Sequence, residues 1–164
     1  MTVTDAPVVP GRELADRWAI TELTAEFGLR VDTHEWDRLV QLLAPTVVID
    51  YSRLHGKDPI TTDPAGVVGT WRGVLENLKA TQHLITGQVI ELSGDTAKCT
   101  ANLVAAHHLP NDSGAPDWTL GGRYEFALER AGGRWLITAV VLFPLWATGN
   151  RTIMQLAGSR NTTT

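Results

Sequence analysis

The side chains best suited to chemistry in this chain are His83 and one member of the pair His107-His108, because an imidazole exchanges protons near neutral pH. Ser93-Gly94-Asp95-Thr96 reads as the tight turn of a hairpin, and a loop centred at Gly94-Asp95 sets His83 opposite Ala106. Side chains alternate faces along a strand, so this register puts His108 on the face of His83, together with Ile85, Val89 and Val104, and turns His107 away. A single β-bulge would reverse the choice and bring His107 inside. Two imidazoles on an apolar wall form an acid/base pair; the competing reading of each is a structural histidine bonded to a carbonyl or hydroxyl.

Asp32 stands at the end of an amphipathic helix, where a carboxylate opposes the helix dipole. Two readings are balanced. In one, Asp32-Thr33-His34-Glu35 is a capping box that opens the next helix, with Glu35 reaching back. In the other, Asp32 projects into a cavity as a base or as the carboxylate that holds a histidine tautomer. Tyr51 ends a β-branched run, and its phenol could polarise a carbonyl or bind a water; half-buried tyrosines with a wet hydroxyl are also common. Asp50, Arg53 and His55 beside it read as solvated loop residues. Trp18, Trp36, Trp71 and Trp146 read as core or pocket wall, since no basic groove accompanies them.

These residues need elements to position them. Ile20, Leu23, Phe27 and Val31 recur at helical spacing and predict a first helix from Arg12 to Val31. Trp36, Leu39, Val40 and Leu43 predict a short second helix ending at Ala44-Pro45. Val47-Val48-Ile49-Asp50-Tyr51 predicts a strand, and Asp63-Pro64 opens a third helix with Val67, Val68, Trp71, Val74, Leu75 and Leu78 on its buried stripe. Long β segments at roughly 81–92, 97–109, 119–130 and 134–146 follow, joined by turns, as an antiparallel meander. Helices in front of one curved sheet make an α+β domain with room for a pocket. Phe27, Val31, Trp71, Val104 and Trp146 are the expected apolar lining.

With 164 residues, 43% hydrophobic and 20% charged, the chain fits one domain, expected over 11–148 between a leader (1–10) and a tail (149–164). A net charge of −4 without a basic run argues against nucleic acid as a partner. The longest apolar stretch, 139–147, is interrupted by Pro144 and too short for a bilayer. A lone Cys99 excludes an internal disulfide and points to reducing cytoplasm. No Cys/His spacing suggests zinc, and no phosphate-binding glycine loop or nucleophile elbow is present, so neither a metal nor a cofactor is expected.

The segments Val31-Asp32-Thr33-His34-Glu35-Trp36-Asp37, Val48-Ile49-Asp50-Tyr51 and Thr81-Gln82-His83-Leu84, followed by His108 on the next strand, resemble the scytalone dehydratase-like branch of the SnoaL-like, NTF2-like superfamily. The resemblance covers nearly the whole chain and implies a cone-shaped fold: three N-terminal helices packed in a curved, mainly antiparallel sheet around an apolar pocket. It implies that His83 and His108 move protons, that Asp32 orients or charges a histidine, and that Tyr51 polarises a carbonyl through a water. A second water-holding tyrosine of that branch, just before its aspartate, is replaced here by Val31. The resemblance further implies an apolar small-molecule substrate and a homodimer or higher homo-oligomer.

The expected function is therefore a cofactor-independent dehydratase acting on a hydroxy-carbonyl, polyketide- or steroid-like compound. An isomerase or aldol-type cyclase shares the first, enolising step. A binding module with structural histidines is the rival from another class.

Overall fold

The computed structural model describes residues 10–160. Helix α1 (Pro10–Asp32) buries Ile20, Thr24, Phe27 and Val31 along one stripe. Three short pieces follow: helix α2 (Trp36–Val40), strand β1 (Leu43–Asp50) and helix α3 (Ser52–His55). Strand β2 (Ile60–Thr62) then leads to helix α4 (Pro64–Leu75), which opens as the Asp63-Pro64 pair predicts, with Asp63 Oδ1 accepting from the Gly66 amide at 2.7 Å. Strands β3 (Ala80–Ser93), β4 (Thr96–His108), β5 (Asp117–Ala131) and β6 (Arg134–Gly149) form the meander, and helix α5 (Thr152–Ser159) follows it.

The six strands lie in the order β2-β1-β6-β5-β4-β3. All neighbours are antiparallel except β1 and β6, which run parallel. The helices fill the concave side, where Phe27 of α1 meets Trp71 of α4 and Tyr124 and Phe126 of β5 edge to face. The result is an α+β fold with a curved sheet wrapped around its helices.

Arg53 and His55, expected in a loop, lie in α3, which makes four helices before β3 where three were expected; two boundaries also depart from the sequence expectation. Helix α2 ends at Val40 and β1 begins at Leu43, so Ala44-Pro45 lies in the strand; the β1–β6 register shifts between Leu43 and Val48, an irregularity that suits a proline unable to donate. The expected tail from 149 onward is helical over Thr152–Ser159, anchored by the fully buried Ile153 and Ala157 against α4. Most of the expected leader (1–9) and the end of the tail (161–164) lie outside the described residues.

The register of β3 decides the site. Near the turn Val89 faces Thr100, as the hairpin count requires, but Thr86 faces Asn102, so Gly87 and Gln88 together oppose Ala101. This bulge, with Gly87 at φ +64°, shifts every earlier partner by one: His83 faces Ala105, not Ala106. Gln88, Ile90 and Leu92 point inward beyond the bulge, whereas Thr81, His83 and Ile85 point inward before it.

Candidate functional site

Asp32 is the last residue of α1, and its carboxylate reaches across to β3. Oδ1 accepts from His83 Nδ1 at 2.7 Å and from Thr81 Oγ1 at 2.9 Å, while Oδ2 accepts from the His83 amide at 2.6 Å. Gly28 allows this approach, since a Cβ there would stand 3.1 Å from both the His83 carbonyl oxygen and Ile85 Cδ1. Burial pushes the Asp32 carboxyl up, but the bonds from His83 and Thr81 and the His83 charge outweigh it and leave the group below its ordinary value. The capping box does not form: the residue before α2 is Glu35, whose carboxylate is taken by Arg30, Arg38 and Thr33 instead.

A carboxylate oxygen can only accept, so His83 Nδ1 carries a proton, and in the neutral ring Nε2 is the base. The His83 side chain, 9% exposed, lines a cavity of about 780 Å³. The deep walls are apolar and include Phe27, Val31, Ile49, Val67, Leu103 and Leu142.

The second imidazole in this cavity is His107, not His108. The His107 ring is 5% exposed and stands edge-on to His83 with centroids 5.6 Å apart. It stacks on Trp118 at 5.0 Å, and its Nδ1 donates to the Trp118 carbonyl at 3.3 Å, leaving Nε2 as an acceptor. Burial, then the neighbouring His83, push its pKa down to about 4. His108 lies on the opposite face, paired with Asp117 at 2.6 Å and 41% exposed. The bulge at Gly87 is the physical reason for this correction.

The same slip removes Val104, which lies outside the cavity lining, and Val89, which is exposed. Trp146 is half-exposed and packs over Gly121 rather than lining the cavity. Phe27, Val31, Trp71 and Tyr51 do line it.

Sequence reasoning missed Tyr124. Its hydroxyl lies 3.3 Å from that of Tyr51, and both rings border the cavity. Burial drives the Tyr51 phenol well above its ordinary value, and likewise raises Tyr124 to about 12. Both therefore remain O–H donors at neutral pH. One hydroxyl donates to the other, so one proton of the pair is left for a ligand. Among the described residues no group of three His, Cys, Asp or Glu side chains could hold a metal ion, and no helix is long and apolar enough to cross a membrane.

A curved sheet wrapped around helices, with a hollow between them, defines an NTF2-like domain. The family model described as a SnoaL-like domain matches residues 12–141, and the chain belongs to that family. None of the curated proteins matches it. Among solved structures, the Kfla4162 protein of Kribbella flavida is 25% identical with a TM-score of 0.83, over 87% of this chain and 99% of that one. A Novosphingobium aromaticivorans protein assigned as a scytalone dehydratase is 18% identical with a TM-score of 0.74, over 85% and 90% of the two chains. A type 2 hexachlorocyclohexane dehydrochlorinase, LinA, is 20% identical with a TM-score of 0.71, over 83% and 89%. The last two share this fold and carry the names of lyases.

Proposed function

We propose that this chain is a cofactor-independent lyase that removes water from a small, largely apolar hydroxy-carbonyl compound of polyketide- or steroid-like shape. One observation carries the reading: the Asp32–His83 bond holds a proton on Nδ1, so that the neutral ring turns Nε2 to the apolar cavity as its base. His83 Nε2 takes the proton next to the substrate carbonyl, and Asp32 fixes the tautomer and offsets the imidazolium charge as it forms. The free hydroxyl proton of the Tyr51–Tyr124 pair bonds to the carbonyl oxygen as it becomes an enolate.

The enolate then expels the β-hydroxyl, which leaves as water with the proton returned from His83. Ketone and alcohol become enone and water, with no electrons left over. His107, held neutral, accepts a hydrogen bond from the departing hydroxyl through Nε2 and orients it; it does not serve as the acid. The apolar walls keep bulk water from quenching the enolate.

The test is turnover of a panel of cyclic β-hydroxy ketones, followed by enone absorbance and product mass. Loss of one water separates elimination from isomerisation, in which mass is unchanged. His83→Ala and Asp32→Asn should each lower the rate by about 10²–10⁴ with the fold intact. Undiminished turnover in folded His83→Ala would remove the basis of the reading.

A further inference from the structure

We infer that the mouth of this cavity is a carboxylate receptor centred on Arg151, so that the natural ligand is an apolar body with an anionic end. This rests on the cavity being the ligand site, and it concerns binding rather than elimination.

Deep in the cavity the lining is apolar, but its exposed rim carries His55, Lys57, Asp58 and Arg151. Arginines elsewhere are commonly tied to carboxylates: Arg30 to Glu26 and Glu35, Arg72 to Glu76, Arg130 to Asp16. Arg151 has no carboxylate partner among the described residues. Its Nη2 donates to the Leu54 carbonyl at 3.0 Å and to His55 Nδ1 at 3.2 Å, contacts that fix the guanidinium without neutralising it.

Because His55 Nδ1 accepts that bond, a neutral His55 carries its proton on Nε2 and presents a second donor. Burial, then the charges of Arg151 and Lys57, push His55 toward that neutral form. Among the described residues Asp58 is the one acidic group on the rim, and it forms no ion pair with Arg151 or Lys57. The rim is thus donor-rich and net positive in a chain whose overall charge is −4. A fixed guanidinium fork with free N–H groups matches a carboxylate.

The anchor and the base lie along one wall. The Arg151 guanidinium is 5.9 Å from the Trp118 ring centre, Trp118 stacks on His107, and His107 meets His83. A ligand whose carboxylate reaches Arg151 lays its apolar body along Trp118 toward the two imidazoles. Arg151 is on this account a specificity-determining residue.

The experiment is calorimetric titration of the full chain with 2-naphthoate and with the isosteric, uncharged 2-naphthamide. The expected result is about tenfold tighter binding of the carboxylate, a ratio that falls as salt is raised. Arg151→Gln should collapse the ratio to twofold or less, chiefly by weakening naphthoate, with a thermal melt reporting that the variant is folded. Should that variant not fold, the salt dependence of the wild-type ratio decides alone. Equal affinities, a ratio insensitive to salt, a ratio that survives Arg151→Gln, or no saturable naphthoate binding would each overturn the inference. None of these outcomes touches the elimination reading, whose readout is turnover.

Discussion

The His83 and His107 rings meet edge to face, 5.6 Å apart, on adjacent strands, and they do so because β3 carries one more residue than β4 between Thr86 and Val89. Without that extra residue His83 would share its face with His108. The composition of the site is thus set four residues away from its central base.

Neutral His107 makes the fold acid-sensitive. Its pKa falls from 6.5 to about 4 on folding, so the unfolded chain binds more protons between those values and stability drops as pH falls through that window. The contribution, present in full above pH 6.5, is on the order of 3 kcal/mol. Urea unfolding at successive pH values should show the loss, and a folded His107→Gln should flatten it. An equal pH slope in both proteins would contradict the neutral assignment.

Tyr51 and Tyr124 are the chain's only two tyrosines, so phenolate absorbance reads this pair alone. In the folded protein neither should ionise near pH 10, and Tyr124 should titrate at about 12. A phenolate step near the ordinary value, before unfolding, would mean that the hydroxyl pair is open to solvent.

The two neighbouring histidines should respond to substitution in opposite ways. His108→Ala removes an exposed pair with Asp117, should cost less than about 1 kcal/mol, and should leave any turnover within twofold. His107→Ala opens a gap between Trp118 and His83 and should disturb both stability and ligand binding. Thermal melts and the β-hydroxy ketone assay on both variants check this contrast; an inactive but folded His108→Ala would reverse it.

Gly87 sits at φ +64°, and a Cβ there would lie 3.2 Å from Asn102 Nδ2. Gly87→Val should therefore cost about 1–2 kcal/mol from the left-handed backbone alone. Denaturant midpoints measure it. A variant as stable as the parent would show that the bulge does not depend on this conformation.

Helices α1, α2 and α4, strand β1, the α4 cap and the meander were legible in local signals: helical spacing, Asp63-Pro64, and turn residues between β-rich segments; α3 and β2, in the stretch after Tyr51, were not. The choice between His107 and His108 was not, because a count from the turn propagates one unseen bulge to everything beyond it. Alternation within β4 offered a weaker clue, since Ala97, Cys99, Ala101, Leu103 and Ala105 are all buried in step with His107, yet Val104 and Ala106 compete on the other face. Tyr124 falls in step with Leu120, Phe126 and Leu128, all buried, and could have been found in that way. Asp32 was undecidable because a cap and a histidine partner ask for the same residue at a helix end. Helix α5 was missed because only Ile153 and Ala157 anchor it, too few to draw a stripe.

The bulge at Gly87 also bears on how such a site arises. Exchanging one amino acid for another alters one side chain, but gaining or losing a single codon in this part of β3 would turn Thr81, His83 and Ile85 through the sheet together. One event of that kind would take His83 out of the hollow and away from Asp32, which stays at the end of α1; the reverse event would bring the two together at once. At this bulge, a single insertion or deletion moves three inward side chains together, where a substitution changes one.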